Sequence, residues 1–333
     1  MMSDRQQIIS EFLAQNGLQT AARKSVAGDA SGRRYERLSD SAGARTIVLM
    51  DAPPGSCGSV APFCKIAGHF RDLGLSAPQI LAENAQAGLL LIEDFGDASF
   101  TNIIAARPDR ETRLYAAATD VLIHLRQPPP PWLPRADAGA LSALIELAYT
   151  HYRGEQDSEN AVRLMALFKN ILQQFDQVEP VLIHRDYHAD NLMWLPHRSG
   201  IARVGLLDFQ DAMRGHPAYD LVSLLQDARR DVSPKTEDAM IAHYVTATGV
   251  DEHDFRAAYA VIGAQRHLRI LGVFARLSLD HGKPAYVDLI PRTWAHLMRC
   301  LDHPALASVA DLLRADLPAP TDETLQRLRT TCR

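Results

Sequence analysis

Three oxygen-bearing side chains stand next to short apolar segments in the middle of the chain. Asp186 and Asn191 lie in a polar loop between two apolar runs, and Asp208 follows a third. Phosphoryl transfer requires an enzyme to align a nucleophilic hydroxyl and to hold magnesium on the nucleotide phosphates. Mg²⁺ prefers oxygen ligands. We therefore predict that Asp186 accepts the proton of the attacking hydroxyl, while Asn191 and Asp208 bind the metal.

The apolar runs make this pattern specific. A lone H-x-D-x-x-x-x-N sequence can arise by chance or from a capped turn, because Asp and Asn favour turns and helix starts. Here residues 181–183, 192–194 and 204–207 also predict short buried strands that flank the polar positions. We interpret two of these strands as the elements that bring the Asn and the second Asp to one metal site.

These residues resemble the aminoglycoside phosphotransferase and choline kinase superfamily, whose catalytic loop runs H-x-D-x-x-x-x-N before a metal-binding Asp. Residues 28–35 resemble its phosphate loop, residues 89–96 its interlobe hinge, and residues 217–221 the helix behind its catalytic loop. Residues 48–54, 184–191 and 265–276 further resemble bacterial kinases of cell-wall recycling. Those kinases phosphorylate N-acetylmuramate and N-acetylglucosamine at the anomeric hydroxyl.

The resemblance implies an α+β, protein-kinase-like bilobal fold with a small antiparallel-sheet N-lobe and a mainly helical C-lobe. Strand-like runs indeed come before about residue 94, and long amphipathic segments that predict helices follow it, among them residues 140–152 and 219–229. We predict a nucleotide-binding lobe at residues 1–94 and a catalytic and substrate lobe at residues 95–333. The implied cofactors are ATP and Mg²⁺.

The phosphate-loop resemblance rests on a glycine-rich turn. Glycine lets a hairpin approach a nucleotide closely, and exposed amides can bond phosphate oxygens. A plain surface hairpin is the alternative. The hinge-like residues 93–95 would offer backbone groups to adenine, as hinges of this superfamily do. The predicted nucleotide contacts are Gly28, Ser31, Gly32, Arg33, Glu93 and Phe95.

One position departs from the family pattern. The superfamily usually carries a Lys on its third strand, paired with a Glu on the next helix. Here Met50 occupies the expected Lys position, and no Glu occurs between residues 51 and 83. Joint loss of both partners leaves no uncompensated buried charge, which indicates adaptation. Our hypothesis is that Arg33, Arg34 or Lys65 supplies the replacement positive charge.

Candidate acceptor contacts lie in the C-terminal half. Arg266, Arg269 and Arg276 fall within one sector of a predicted helix and could form an anion pocket, although structural ion pairs remain the alternative. An arginine fork suits the lactyl carboxylate of N-acetylmuramate, whereas choline and aminoglycosides are cations that need acidic or aromatic walls. We predict substrate contacts from His188, Arg266 and Arg269.

The spacing after the metal-binding Asp favours a small acceptor. Only eleven residues separate Asp208 from Asp220, too few for the long activation segment with which protein kinases bind polypeptides. By resemblance, we expect Asp220 to bond the backbone of the catalytic loop. We also expect His184 to be a packed structural histidine, although a role as base is the alternative.

Composition excludes several other classes of partner. A net charge of −5 offers no basic surface for nucleic acid, and no apolar run approaches the roughly 18 residues that span a bilayer. The polar N-terminus is unlike an export signal, so we expect a cytoplasmic location. The four cysteines (Cys57, Cys64, Cys300 and Cys332) are too sparse for a disulfide scaffold and are expected to be free thiols. No protein partner is evident.

We therefore expect an ATP-dependent kinase that acts on the anomeric hydroxyl of N-acetylmuramate and N-acetylglucosamine in peptidoglycan recycling. A kinase of an aminoglycoside, of choline or of another small alcohol or amine is the alternative within the same fold. A nucleotide-binding pseudokinase is the non-enzyme alternative, motivated by Met50. The presence of all three catalytic oxygen donors argues against a pseudokinase.

Overall fold

The structure is a computed structural model, and it describes residues 4–26, 32–39 and 46–330. The chain divides into two compact units. The sheet unit comprises residues 1–110 and 190–211, and the helical unit comprises residues 111–189 and 212–333.

The strands are short, in keeping with the short apolar runs that predict them. They are β1 (Ala22–Val26), β2 (Arg34–Ser39), β3 (Thr46–Asp51), β4 (Ile80–Asn84), β5 (Leu89–Glu93), β6 (Val181–Ile183), β7 (Leu192–Trp194), β8 (Val204–Leu206) and β9 (Met213–Gly215). The first five form one antiparallel sheet in the order β1-β2-β3-β5-β4. The pairs β6–β9 and β7–β8 are separate antiparallel ribbons.

Helices make up most of the helical unit. Those described are α1 (Asp4–Gln15), α2 (Pro54–Cys57), α3 (Ala61–Asp72), α4 (Phe100–Ala106), α5 (Glu111–His124), α6 (Ala138–Ala143), α7 (Glu159–Gln173), α8 (Ala218–Leu225), α9 (Pro234–Thr248), α10 (Glu252–Leu279), α11 (Ile290–Leu301), α12 (Ala307–Asp316) and α13 (Asp322–Arg329). A π-helical turn covers Ala148–Arg153. An antiparallel sheet accompanied by a mainly helical second unit agrees with the predicted α+β class.

One face of the five-stranded sheet is covered by α1. Its apolar residues Ile9, Phe12 and Leu13 recur at the spacing of one helical face and are buried. They form a core with Leu38, Leu49, Leu89 and Leu91 from three of the strands. Burial of this apolar face therefore fixes the sheet that carries β3 and the end of β5.

The β7–β8 ribbon joins the sheet unit, which explains why the sheet unit differs from the predicted lobe at residues 1–94. Gly205 bridges to Ser76 and Met193 bridges to Ser99, and the Leu206 N–H donates to the Ser76 carbonyl at 2.7 Å. These backbone contacts link residues that are far apart in sequence, so strand propensity alone cannot predict them. The functional boundary between residues 94 and 95 stays a prediction.

A 28-residue helix, α10, packs against α8, α11 and the π-helical turn. At Gly272 the backbone of α10 passes close to Leu147, which lies just before this turn. A Cβ atom at Gly272 would lie 2.2 Å from the Leu147 carbonyl oxygen. Only a residue without a Cβ permits the helix to pass so near another backbone.

Gly272→Ala is therefore expected to destabilise the protein by about 3 kcal/mol, because a clash with backbone cannot be relieved by a rotamer change. Gly68→Ala is the matched control: Gly68 is an exposed position in α3 where a Cβ meets nothing within 4 Å. The control should be neutral or stabilising by up to about 1 kcal/mol. Urea unfolding of both variants measures the difference, and equal midpoints would contradict the close approach.

Among the residues described, none of the helices combines the length and the apolarity that a bilayer-spanning helix needs. Cys57, Cys64 and Cys300 form no disulfide bond within the part of the chain that the structure describes, and Cys332 lies outside it.

Candidate active site

The backbone before Asp186 is held by a buried carboxylate within the helical unit. Asp220 accepts hydrogen bonds from the His184 N–H at 2.5 Å and from the Arg185 N–H at 2.9 Å. Asp220 is only 2 % exposed, and burial raises its pKa to about 7 although the two N–H donors oppose the shift. The prediction that Asp220 bonds the catalytic-loop backbone is confirmed.

His184 is fully buried, and its ring packs edge-on against Tyr187 at a centroid distance of 5.5 Å. The Tyr187 hydroxyl donates to the Ala118 carbonyl at 2.9 Å, which anchors this pair to α5. The prediction that His184 is a packed histidine is confirmed, whereas the choice of Asp186 over His184 as the base stays a prediction.

Asp186 follows Arg185, which adopts a left-handed backbone with φ of +76°. Residues other than glycine rarely hold this conformation, and strain of this kind concentrates at functional sites. The Asp186 side chain is half-buried. Its carbonyl accepts from the His188 N–H at 3.2 Å, which closes a tight turn. The loop therefore presents the carboxylate from a constrained turn.

His188 is 4 % exposed. Burial lowers its pKa well below the usual value, and the neighbouring positive charges of Arg229 and Arg266 add to the shift. The ring is therefore neutral near pH 7. Any contact it makes with an acceptor would be a neutral hydrogen bond and not a charge pair.

The two predicted metal ligands lie together at one end of the β7–β8 ribbon in the sheet unit. Leu192 pairs with Leu206, and the Leu207 N–H donates to the Asn191 carbonyl at 3.0 Å. Asn191 therefore sits opposite the residue that precedes Asp208. The prediction that these flanking runs are strands that deliver Asn191 and Asp208 is confirmed, whereas their role as metal ligands stays a prediction.

Asp208 is itself constrained. It has a left-handed φ of +59°, and its Oδ1 accepts from the Gln210 Nε2 at 2.8 Å. Arg33 Nη1 lies 4.0 Å from the same oxygen. The Gln210 Oε1 atom is buried without a hydrogen-bond partner among the described residues. Carboxylate and amide oxygens of this kind are a donor set that fits Mg²⁺.

The residue after Asp208 is an aromatic anchor. Phe209 is fully buried, stacks on Phe63 at 4.7 Å and meets Phe70 edge-on at 5.4 Å. Both partners belong to α3. Aromatic pairs of these geometries contribute about 0.5–1.5 kcal/mol each beyond their burial. The strained backbone at position 208 is therefore held by an apolar contact on one side and by Gln210 on the other.

The hinge-like residues at the end of β5 already make protein contacts. The Glu93 N–H donates to the Gln79 carbonyl at 2.8 Å, and the Glu93 carboxylate bonds Arg198. The Arg198 guanidinium also lies 5.2 Å from the centroid of the Phe95 ring. The predicted adenine contacts at Glu93 and Phe95 would therefore involve backbone groups other than the Glu93 N–H.

Part of the predicted phosphate loop, including Gly28 and Ser31, lies outside the described residues. Gly32 has φ of +84°, a conformation that glycine adopts without strain. Met50, on the third strand, is 0 % exposed and packs in the core. The position at which the family pattern expects a Lys is thus an apolar one in this chain.

The three candidate replacement cations differ in what they contact. Arg34 lies 3.3 Å from the Asp51 carboxylate, which Arg5 also binds. Lys65 is exposed on α3. Arg33, with a mostly buried side chain, is the candidate that lies next to Asp208. The geometry favours Arg33.

The predicted acceptor contacts share the helical unit with Asp186. Arg266, on α10, is 3 % exposed and donates from Nη2 to the Ser223 hydroxyl at 2.7 Å. Burial lowers the pKa of Arg266, and the negative charge of the Asp186 carboxylate is among the effects that oppose this shift. Arg269 and Arg276 are half-buried on the same helix.

Two residues of this site were missed by reasoning from the sequence. Gln210 lies two positions after Asp208, and its side-chain amide was the signal that could have marked it. Ser223 lies one helical turn after Asp220, but a lone serine in a helix carries no comparable signal. Both act through contacts that only the folded chain reveals.

Comparison with known proteins identifies the family. Residues 23–259 match the phosphotransferase enzyme family known as APH. The chain belongs to this family. The predicted resemblance and the predicted enzyme class, a phosphotransferase, are thereby confirmed.

Two relatives match over most of their length. A protein of Caulobacter vibrioides named N-acetylmuramate/N-acetylglucosamine kinase is 38 % identical over 362 residues, which cover 96 % of this chain and 99 % of that protein. A Pseudomonas aeruginosa protein of the same name is 32 % identical and covers 88 % of each chain.

A solved structure is similar in fold. The crystal structure of a choline/ethanolamine kinase family protein from Mesorhizobium loti matches with a TM-score of 0.65 at 14 % identity. The match covers 93 % of this chain and 99 % of that one. At this identity the likeness reports fold alone, and it confirms the predicted protein-kinase-like fold.

Proposed function

We propose that the protein is an ATP-dependent sugar kinase that phosphorylates the anomeric hydroxyl of N-acetylmuramate and N-acetylglucosamine. The observation that carries this proposal is the near full-length match to the Caulobacter vibrioides kinase of these two sugars. The local geometry of the catalytic loop and of the β7–β8 ribbon supports the chemistry. Peptidoglycan recycling and a cytoplasmic location, where ATP is available, form part of the same proposal.

In this mechanism Asp186 accepts the proton of the sugar hydroxyl as the hydroxyl oxygen forms a bond to the terminal phosphorus of ATP, while the bond from that phosphorus to the bridging oxygen breaks and ADP leaves. Asn191 and Asp208 would hold Mg²⁺, which would supply positive charge to offset the charge that develops on the phosphate oxygens. Gln210 restrains the Asp208 carboxylate through a 2.8 Å hydrogen bond. The strained backbone at Arg185, which precedes Asp186, and at Asp208 constrains the chain that carries the two carboxylates.

The nucleotide contacts remain part of the proposal. Gly28, Ser31, Gly32 and Arg33 would cradle the phosphates, while Glu93 and Phe95 would meet adenine, which assigns nucleotide binding to residues 1–94. His188, Arg266 and Arg269 are the candidate acceptor contacts in residues 95–333. Their common location in the helical unit with Asp186 supports this assignment.

Arg33→Ala is expected to raise the KM for ATP roughly tenfold, because a hydrogen bond to a charged group contributes about 1.5–3 kcal/mol. Arg34→Ala is the matched control, since Arg34 is mostly exposed and lies by Asp51. It should change the KM by less than about twofold, as exposed ion pairs contribute little. Steady-state kinetics with varied ATP measures both. An unchanged KM in the Arg33 variant would remove Arg33 as the replacement cation.

An acceptor screen tests the proposed function. The purified protein is incubated with ATP and Mg²⁺ and with N-acetylmuramate, N-acetylglucosamine, choline or an aminoglycoside, and ADP release is followed. Phosphorus NMR of the sugar product should show coupling to the anomeric proton. Turnover of choline or an aminoglycoside alone would favour the alternative kinase class. Nucleotide binding without turnover of any acceptor would favour a pseudokinase.

A further inference from the structure

The strained backbone before Asp186 is held by hydrogen bonds to one face of α8. The N–H groups of His184 and Arg185 donate to the Asp220 carboxylate, and the Arg185 carbonyl accepts from the Ser223 hydroxyl at 3.4 Å. Asp220 and Ser223 are three residues apart in α8, so their side chains lie on the same helical face. The helix thus supplies an acceptor and a donor to the same residue, whose φ is +76°.

The direction of the Ser223 hydrogen bond is set by Arg266. A serine hydroxyl has one proton to donate, and a guanidinium donates only. Because Arg266 Nη2 donates to Ser223 Oγ at 2.7 Å, the serine proton is left to point at the Arg185 carbonyl. Ser223 is fully buried, so no water competes for the hydroxyl at its surface. The hydrogen bonds therefore run in one direction, from Arg266 through Ser223 to Arg185.

The burial of Arg266 indicates that it serves more than packing. A charged side chain at 3 % exposure carries a large desolvation cost unless paired. Nevertheless, Arg266 Nε and Nη1 have no hydrogen-bond partner among the described residues. Asp186 is one of the negative groups whose charge acts on Arg266. A buried cation kept beside the catalytic loop at this cost is a candidate for function.

We propose that Arg266 is a positioning residue that acts through Ser223 to fix the Arg185 carbonyl, and with it the backbone that carries Asp186. The proposal rests on the proposed function in one respect, that Asp186 is the base. It is an alternative to the direct acceptor contact named above for Arg266, and kinetics on the two sugars distinguishes the two roles. A positioning residue affects every acceptor equally and acts on kcat, whereas a carboxylate-binding residue affects the KM for N-acetylmuramate and spares N-acetylglucosamine, which has no carboxylate.

Kinetics on both sugars tests this relay, the chain of hydrogen bonds from Arg266 through Ser223 to the Arg185 carbonyl. Ser223→Ala should lower kcat roughly tenfold with both sugars and leave both KM values within about twofold, since it removes a hydrogen bond that aligns the base. Arg266→Met should lower kcat tenfold to about a hundredfold, because it removes a charged donor. The double variant should be no worse than Arg266→Met, because the two residues act in series.

A matched control separates this effect from general loss of packing. Ser278→Ala makes the same change at a fully buried serine of α10 whose hydroxyl has no partner among the described residues. It should leave kcat unchanged. Equal losses in Ser223→Ala and Ser278→Ala would overturn the relay, as would additive losses in the double variant. A loss confined to the KM for N-acetylmuramate would instead assign Arg266 to the acceptor.

A second readout does not depend on turnover. Amide hydrogen exchange across residues 181–191 should be faster in Ser223→Ala than in the unmodified protein, and unchanged in Ser278→Ala, because the clamp on Arg185 is lost only in the former. This comparison needs only the serine variants, so it holds even if Arg266→Met does not fold. If neither sugar is phosphorylated, the proposed function fails while the exchange result still decides the relay. Unchanged exchange in Ser223→Ala would overturn it.

Discussion

Asp186→Asn is expected to lower kcat by about 10²–10⁴-fold with either sugar, the range that a positioned general base contributes. Asparagine keeps the size of the side chain and its hydrogen-bonding capacity, but the amide cannot accept the proton of the attacking hydroxyl. Nucleotide affinity should change little, because metal binding is proposed for Asn191 and Asp208. Steady-state kinetics and titration with an ATP analogue in the presence of Mg²⁺ measure the two effects separately.

Asp190→Asn is the matched control in the same loop. Asp190 is exposed and bonds the Thr101 hydroxyl within the sheet unit, a contact that an asparagine side-chain oxygen can also accept. Its kcat should fall by less than about threefold, as expected for a surface polar contact. A comparable loss in both variants would mean that any change of loop charge impairs turnover, and Asp186 would lose its assignment as the base.

Much of the secondary structure near the site could be predicted from the sequence. Continuous apolar runs predicted strands at residues 181–183, 192–194 and 204–207, and the structure has β6, β7 and β8 there, with β8 ending at Leu206. Such short runs succeed here because both faces of each strand are buried. The polar residues between these apolar runs were predicted to lie in loops, and the candidate catalytic groups lie in those loops.

The errors in element boundaries come from tertiary contacts. A single helix was predicted over residues 140–152, but α6 ends at Ala143 and a π-helical turn follows at Ala148–Arg153. This is where α10 passes Leu147 at Gly272. The helix predicted over residues 219–229 ends at Leu225. The side chain of the next residue, Gln226, bonds Glu237 and His267 in a buried network. Apolar periodicity does not encode such contacts.

The contacts that position the reactive groups of the candidate site were harder to predict than the reactive groups themselves. Asp186, Asn191 and Asp208 are visible in the sequence because their spacing is local. The contacts of Gln210 with Asp208 and of Ser223 with Arg185 depend on strained backbones at which φ is positive. Nothing in the residue types at 185 and 208 requires that conformation, so it had to be observed.

Asp208→Ala is expected to weaken binding of the Mg²⁺–nucleotide complex roughly a hundredfold, because a carboxylate ligand to the metal contributes several kcal/mol. The effect should exceed that of Gln210→Ala, which removes only the 2.8 Å hydrogen bond that restrains the Asp208 carboxylate. Calorimetric titration with a non-hydrolysable ATP analogue at several Mg²⁺ concentrations measures the affinity directly and needs no acceptor.

The same titration without metal supplies the control. In the presence of a chelator the Asp208 variant should bind the analogue at least as tightly as the unmodified protein, because without the metal the Asp208 carboxylate can only repel the phosphate groups. Equal affinities with Mg²⁺ present would contradict the assignment of Asp208 as a metal ligand, since its charge would then have no role at the nucleotide phosphates.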